Sequence, residues 1–365
     1  MSIISLYEKS KNLYFVGGIV RDELLGKKSP DVDLTYVGNA VEFAKGLDFE
    51  ITQTNEEFGS VHLKIENKTF DITSTRTEIY PKKGHLPVVE KIGCSLKEDL
   101  IRRDFTVNAI AKNCKTGEIV DFVGGLEDLK NKKLRILHEE SFVDDPTRIV
   151  RGLKFAVRFG FELEERTKKL QDEYLQNVNY DMSFKRLKDE LIDAFNLNRQ
   201  EVLDKFIEQK IYKLLSKNEY NSYLCNVEDF VSPYVDELNY TWLVYLSGFD
   251  LSNLTLTKKE LTIIENYKKL AEKTFDNEFE KYLAFSSLDV ETLLIYGLLR
   301  DKESVKKYLD KYRYVKLSIS GDDLIKIGMT PSKKISEVLT AVMLYKYANP
   351  TISQVEELAI AKKYM

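Results

Sequence analysis

The period of the apolar residues changes near residue 138, and that change constrains the fold more than any other feature of the 365-residue chain. Before it lie short β-rich runs, LYFVGG, DVDLTYVG, SVHLKIE and KTFDITSTR, punctuated by glycine and proline. Helix-like stretches such as VRDELLG and NAVEFAKGL stand between them, which is the pattern of a mixed α/β unit. After it, segments such as TRIVRGLKFAVRF, FKRLKDELIDAF and LTIIENYKKLAEKTF repeat apolar residues at i, i+3, i+4 and i+7. That is the helical period. There is no fixed-length repeat and no low-complexity tract. The expected class is α+β: a small mixed sheet with helices, then a long all-helical part.

Composition removes several functions. No apolar run approaches the roughly 18 residues that span a bilayer, so no membrane partner is expected. The start, MSIISLYEKSKNLYF, has no basic end followed by an apolar stretch and a small-residue cleavage site. Cys94, Cys114 and Cys225 are far apart and form no CxxC, which argues against a disulfide framework or zinc finger and fits a reducing cytoplasm. His62, His85 and His138 are the only histidines and none is paired at metal spacing, which argues against histidine-based hydrolysis. The net charge is −4. Taken alone, it argues against a nucleic-acid partner. Its distribution is uneven: residues 201–250 carry −5 and residues 301–365 carry +4, a weak pointer to a polyanion at the C-terminal end.

The chemistry concentrates in LYFVGGIVRDELLGKKSPDVDL, residues 13–34. An apolar run ends in Gly17-Gly18, where the backbone can approach a phosphate, and a helix follows. The GxGxxG spacing of a dinucleotide site is absent. Asp31 and Asp33, two apart on a strand, share a face. Two carboxylates so placed repel unless a cation lies between them, and Mg²⁺ suits oxygen ligands completed by water and phosphate. An isolated Asp-x-Asp is commonly a solvated turn; the preceding Gly-Gly and Arg21 favour a site. Asp71, in another strand-like run, is either a third carboxylate facing the pair or a strand-end aspartate. Two Mg²⁺ ions on such a cluster suit in-line phosphoryl or nucleotidyl transfer, one lowering the pKa of an attacking hydroxyl and the other stabilising the leaving phosphate oxygens.

Four motifs in fixed order then carry a resemblance: GGIVRDELLG…DVDL, RRDFTVNAIA at 102–111, DFVGGLEDL at 121–129 and DDPTRIVRGLKFAVRF at 144–159. Together they resemble the class II CCA-adding tRNA nucleotidyltransferases, whose motifs bacterial poly(A) polymerases share within the polymerase β nucleotidyltransferase superfamily. GDDLIKIGMTPSKKISEVLTAV, residues 321–342, is similar to the C-terminal helical segment of that family. The resemblance implies a nucleotidyltransferase catalytic head over 1–137, a neck with a nucleotide-selecting helix over 138–200, a helical body over 201–310 and a tRNA-binding helical tail over 311–365. It assigns Asp31 and Asp33 to metal, Gly18 and Arg21 to the incoming triphosphate, and Arg103 to the nucleotide. It implies addition of CTP and ATP to the 3′ end of tRNA, with release of pyrophosphate.

Asp145, Arg148, Arg151 and Lys154 recur every third position and lie along one stripe of a helix that Pro146 can begin. Cytosine and adenine present an amino donor beside an unprotonated ring nitrogen; guanine and uracil present a carbonyl beside a protonated one. A carboxylate next to a guanidinium matches the first pair and clashes with the second, at a cost of ~1–3 kcal/mol for each group left unpaired. In the resembled family this motif is the amino-acid template for CTP and ATP. Lys154 stands where the family often has arginine, and a lysine lacks the planar fork.

Residues 76–100 read as a long, loop-like segment punctuated by glycine and proline. Enzymes of this family that add only CC lack such a segment, so its presence favours CCA addition or A addition. The low charge and compact C-terminus argue against a poly(A) polymerase. A catalytically silent RNA-binding module is a further alternative, opposed by the intact Asp31, Asp33, Arg103, Asp145 and Arg148.

Overall fold

The computed structural model describes residues 6–29, 32–65, 68–218, 220 and 226–365; Asp31 and Cys225 lie outside them. The chain forms two compact units, Met1–Glu219 with Ser252–Thr255, and Tyr220–Leu251 with Leu256–Met365.

The first unit begins with β1 (Leu13–Val16), α1 (Gly18–Leu24), β2 (Asp33–Tyr36), α2 (Ala40–Lys45), β3 (Glu50–Asn55), β4 (Ser60–Ile65) and β5 (Lys68–Ser74). It continues with β6 (Arg76–Ile79), β7 (Val88–Ile92), α3 (Leu96–Ile101), β8 (Ile110–Asn113) and β9 (Ile119–Asp121). Seven of these strands form one sheet in the order β3-β4-β5-β2-β1-β8-β9. Alternation sets its faces: Val61, Leu63 and Ile65 of β4 point into the core, while Ser60, His62 and Lys64 do not. Ala40, Val41 and Ala44 of α2 pack on that core with Leu13, Leu34 and Ile72. Asn39 caps α2 by accepting from the backbone N–H groups of Val41 and Glu42.

One pairing matters for function. β2 and β5 are parallel, and their register places Asp33 beside Asp71 and Leu34 beside Ile72. The other neighbouring strand pairs of this sheet are antiparallel.

Residues 76–100, expected to be loop-like, are ordered: β6 and β7 form an antiparallel hairpin, and α3 follows behind a capping box of Ser95 and Glu98. The strands were hidden because each is only four or five residues long and Pro81, Gly84 and Pro87 punctuate the tip between them.

Helices then take over, as the change of period implies: α4 (Gly125–Lys130), α5 (Ser141–Asp144), α6 (Thr147–Phe159), α7 (Glu165–Gln176), α8 (Phe184–Phe195) and α9 (Arg199–Glu208). α6 buries Ile149, Val150, Leu153, Phe155 and Ala156.

Among its described residues the second unit has helices and no strand. One of its cores is aromatic, with Tyr282 stacked on Tyr312 at 4.4 Å and edge-on to Tyr347. Another gathers Leu324, Met329, Val338 and Val342 from the 321–342 segment with Ile319 and Ile360. Buried Lys346 pairs with buried Glu357, which also accepts from the backbone N–H groups of Ser318 and Ile319. Among the described residues of the chain, no helix is long and apolar enough to cross a membrane.

Candidate active site

The parallel β2–β5 pairing puts the carboxylates of Asp33 and Asp71 side by side on one face of the sheet, and the antiparallel β4–β5 pairing sets His62 on the other side of Asp71. Asp33 is exposed and Asp71 half-buried. Oδ1 of Asp71 is sealed from solvent and has no hydrogen-bond partner. An anionic oxygen left so is unfavourable unless something absent from the protein satisfies it. Two carboxylates with water and substrate phosphate are the donor set that Mg²⁺ takes, so these residues fit the expected ion. Among the described residues no group of three or more metal-ligating side chains occurs. The expected ligand Asp31 falls outside them.

The Gly17 turn brings two further parts to this face. Gly17 has φ +72°, and a Cβ there would lie 3.1 Å from Nη1 of Arg103 and 3.9 Å from Oδ2 of Asp33. Segments far apart in sequence therefore converge at one point. With φ +72° and ψ −132°, a substituted residue there is strained by about 1–3 kcal/mol. Gly17→Ala is expected to lower the melting temperature and, by displacing Arg103, to raise the KM for nucleotide; thermal melts and initial rates check it.

Arg103 is held by Asp99, whose Oδ2 accepts from its Nη2 at 3.1 Å, while its buried Nε has no partner. Asp99 is fully buried and also receives Arg102 and the backbone N–H of Arg76. Burial pushes its carboxyl up, but the guanidinium groups of Arg103 and Arg102 hold it below the usual range.

Arg21 does not take the position expected of it. Its guanidinium donates to Asp22 Oδ1 through Nε and Nη2 at 2.8 and 2.7 Å, and to Asn108 at 2.6 Å. It lies 5.0 and 4.6 Å from the ring centroids of Phe155 and Phe159 and is 4% exposed. Burial lowers its pKa, against the Asp22 carboxylate. These contacts brace α1 against α6. Gly18 lies next to it, a Cβ there being 3.5 Å from Arg21 Nη2.

The stripe of polar residues is engaged rather than solvated, and it does not lie wholly on one helix as expected: Asp145 is the extended residue that ends α5, and Arg148, Arg151 and Lys154 lie on α6. Oδ1 of Asp145 accepts from the backbone N–H and Oγ1 of Thr147 at 3.2 and 2.6 Å, and Oδ2 accepts from Arg186 Nη2 at 2.6 Å. Arg148, 4% exposed, donates through Nη1 to Ser141 and through Nη2 to the Tyr80 hydroxyl and the Arg102 carbonyl. His138 lies 3.4 Å from the same Nη1. Arg151 donates to Asp104 through Nε and Nη2 and to Glu190 through Nη1. Lys154 donates to Glu190 and Asp193.

The partners Tyr80, Arg186 and Glu190 were not expected from sequence. Only the i, i+4 spacing of Arg186 and Glu190 within FKRLKDE hinted that one helix face carries both charges. The hairpin tip docks nearby: the Gly84 N–H donates to the Asp144 carbonyl and the Gly84 carbonyl accepts from the Ser183 N–H.

Asp104 is buried beside Arg151. Burial raises its carboxyl, but Arg151, Asn108 and the Phe105 N–H lower it more, to about 2. An aspartate lowered on folding stabilises the fold above its unfolded value, and that stability is lost as pH falls through the folded one. About 2 kcal/mol should therefore be present above about pH 4 and disappear toward pH 2. The stability gap between the native chain and Asp104→Asn, measured by denaturant melts, should narrow over that window.

The sheet topology and the convergence of glycine turn, carboxylates and arginine define a nucleotidyltransferase head, and known proteins agree. Residues 13–135 match the Poly A polymerase head domain. The chain is 35% identical over 350 residues to an A-adding tRNA nucleotidyltransferase of Aquifex aeolicus, covering 83% of this chain but 41% of that protein, so it spans about two fifths of that relative's length. It is 30% identical over 352 residues to a CCA-adding enzyme of Enterococcus faecalis, covering 90% of this chain and 86% of that one. The Thermotoga maritima CCA-adding enzyme complexed with tRNA superposes with a TM-score of 0.75 at 28% identity, over 99% of this chain and 94% of that one. The chain belongs to the family of class II CCA-adding tRNA nucleotidyltransferases.

Proposed function

We propose that this chain adds CCA to the 3′ end of tRNA from CTP and ATP, without a nucleic-acid template, in the cytoplasm. The observation that carries the reading is the convergence of Gly17, Asp33 and Arg103 beside the partnerless oxygen of Asp71. When bound by Asp33, Asp71 and the expected Asp31, Mg²⁺ supplies a lowered pKa at the attacking 3′-hydroxyl and neutralises charge on the leaving phosphates. Asp71 offers its partnerless oxygen to that ion. Arg103, anchored by Asp99, offers its unused Nε–H to phosphate oxygens. Asp145 accepts from the amino group of cytosine or adenine, and Arg148 donates to the ring nitrogen. Arg148 must release one present partner to do so. The Tyr80 hydroxyl, at 3.2 Å on a half-buried hairpin residue, is the contact most readily exchanged.

A second reading, addition of A alone, is favoured by the 35% identity to the A-adding relative. One experiment separates the readings: incubation with tRNA ending at the discriminator base, at C and at CC, each with CTP, ATP or both. CCA addition extends every acceptor to the same end. A-only addition extends the CC acceptor alone, and a silent RNA-binding module extends none.

A further inference from the structure

A cavity of about 720 Å³ opens in the first unit where α6, α7 and the end of α9 meet, and it shares no residue with the candidate active site. Its volume is that of a small-molecule site. Gly152 and Ala156 present α6 to it, one helical turn apart and turned away from Arg151 and Lys154. Neither side chain projects far, which leaves the room. Phe161, Leu163 and Leu175 give the cavity an apolar floor.

Its polar groups are of two kinds. Gln171, 1% exposed, donates through Nε2 to Gln209 Oε1 at 3.1 Å. Its own Oε1 accepts no hydrogen bond among the described residues and is not sealed from solvent, so it opens to the cavity that Gln171 lines. A glutamine amide has two donors and two acceptor positions, so one N–H and both lone pairs remain to be used. At the rim, the ammonium groups of Lys168, Lys205, Lys210 and Lys213 stand against three carboxylates. One of those, Glu162, is taken by Lys133 at 2.9 Å. Lys168 and Lys210 are exposed, and their ammonium groups make no hydrogen bond or ion pair among the described residues.

We propose that this cavity is a second nucleotide site, which takes an adenine nucleotide with its base on the apolar floor and its phosphates at Lys168 and Lys210. Adenine presents the N6 amino donor beside the N7 acceptor, an edge that a glutamine amide meets with both of its groups. The bond to Gln209 fixes which way the Gln171 amide points. Guanine presents two acceptors on the same edge, O6 and N7, and sets O6 against Oε1 of Gln171. The flat base removes its own faces and those of Phe161, Leu163 and Leu175 from water. The two uncommitted ammonium groups supply point charges for the phosphates. The shared chemistry is that of an adenosine phosphate, free or within an RNA strand. The proposal stands apart from how the active site selects its nucleotides.

The test irradiates the full chain with 2-azido-ADP and maps the labelled peptides by mass spectrometry. Label should fall within residues 161–176 or 205–213, and excess CTP, which competes at the active site, should leave it in place. Unmodified ADP should displace that label at roughly tenfold lower concentration than GDP does, the value of one hydrogen bond at the base edge. Lys168→Gln combined with Lys210→Gln should weaken the labelling by at least about tenfold, and Gln171→Leu should remove the preference for ADP over GDP. The two lysines are exposed, so their replacement keeps the fold and the test readable even where Gln171→Leu melts early. Label confined to other peptides, or cleared from these by CTP, would overturn the proposal. So would cavity label that the lysine variant retains in full, or that GDP displaces as well as ADP does. Excess tRNA distinguishes the sources: cavity label that survives it supports the free nucleotide, and label that it clears supports an adenosine carried by RNA. Because the readout is the place of the label, its failure leaves nucleotide addition at the active site untouched.

Discussion

Asp33→Ala is expected to abolish nucleotide incorporation while tRNA binding survives. Asp33 is exposed on the sheet face, so its truncation opens no cavity in the core, and the neighbouring Leu34 keeps β2 anchored at 1% exposure. What is lost is one of two adjacent carboxylates, and with it the charge that draws a divalent cation between them. Losing one well-placed electrostatic stabiliser of a transition state costs on the order of 10³-fold, and losing the ion that both carboxylates share should exceed that. Asp71→Ala should fall in the same direction, since its sealed oxygen is an acceptor with no other use in the protein. Primer extension on labelled tRNA measures the rate and a filter-binding assay the affinity. Native rates in Asp33→Ala would remove the carboxylate pair from the chemistry.

The second large effect is on choice rather than rate. Asp145→Ala should admit UTP and GTP. The native carboxylate is 5% exposed and clamped on both oxygens, so it rejects a carbonyl presented to it by leaving both acceptors facing each other in a nearly dry site. Each such mismatch costs about 1–3 kcal/mol, and the alanine variant does not impose it. CTP and ATP lose a hydrogen bond at the same time, so the ratio of correct to incorrect incorporation falls from both sides, by about 10- to 100-fold. The variant also releases Arg186, whose guanidinium then requires solvent; a melting curve separates that cost from the change in selection. Unchanged selection would reject Asp145 as a reader of bases.

The helical part was readable because a long amphipathic period is a local signal, and α6 illustrates it: Ile149, Val150, Leu153 and Ala156 are buried as their spacing implies. The strands carrying Asp33 and Asp71 were readable as strands for the same reason. Their adjacency was legible only as one of two alternatives for Asp71, because parallel pairing joins segments far apart in sequence. Arg21 has contacts that its local motif does not announce. Following Gly17-Gly18 it suggests a phosphate contact, yet Asn108, 87 residues away, and the rings of Phe155 and Phe159 close around it. Tyr80 escaped notice because its value lies in Arg148, 68 residues distant, and Arg186 was legible only as part of the motif SFKRLKDE, its partner Asp145 lying 41 residues away. The net charge of −4 pointed away from RNA. It carries little weight because the residues proposed to meet a phosphate, Arg103 and the carboxylate pair, act by their local placement and not through the total.

The most direct test of the account uses tRNA ending in CC, Mg²⁺ and ATP as the only nucleotide. The chain should lengthen that tRNA by one adenosine and stop, under either the CCA-adding or the A-adding reading. A tRNA of unchanged length, with the protein folded and the tRNA bound, would contradict the assignment of nucleotide transfer to this site.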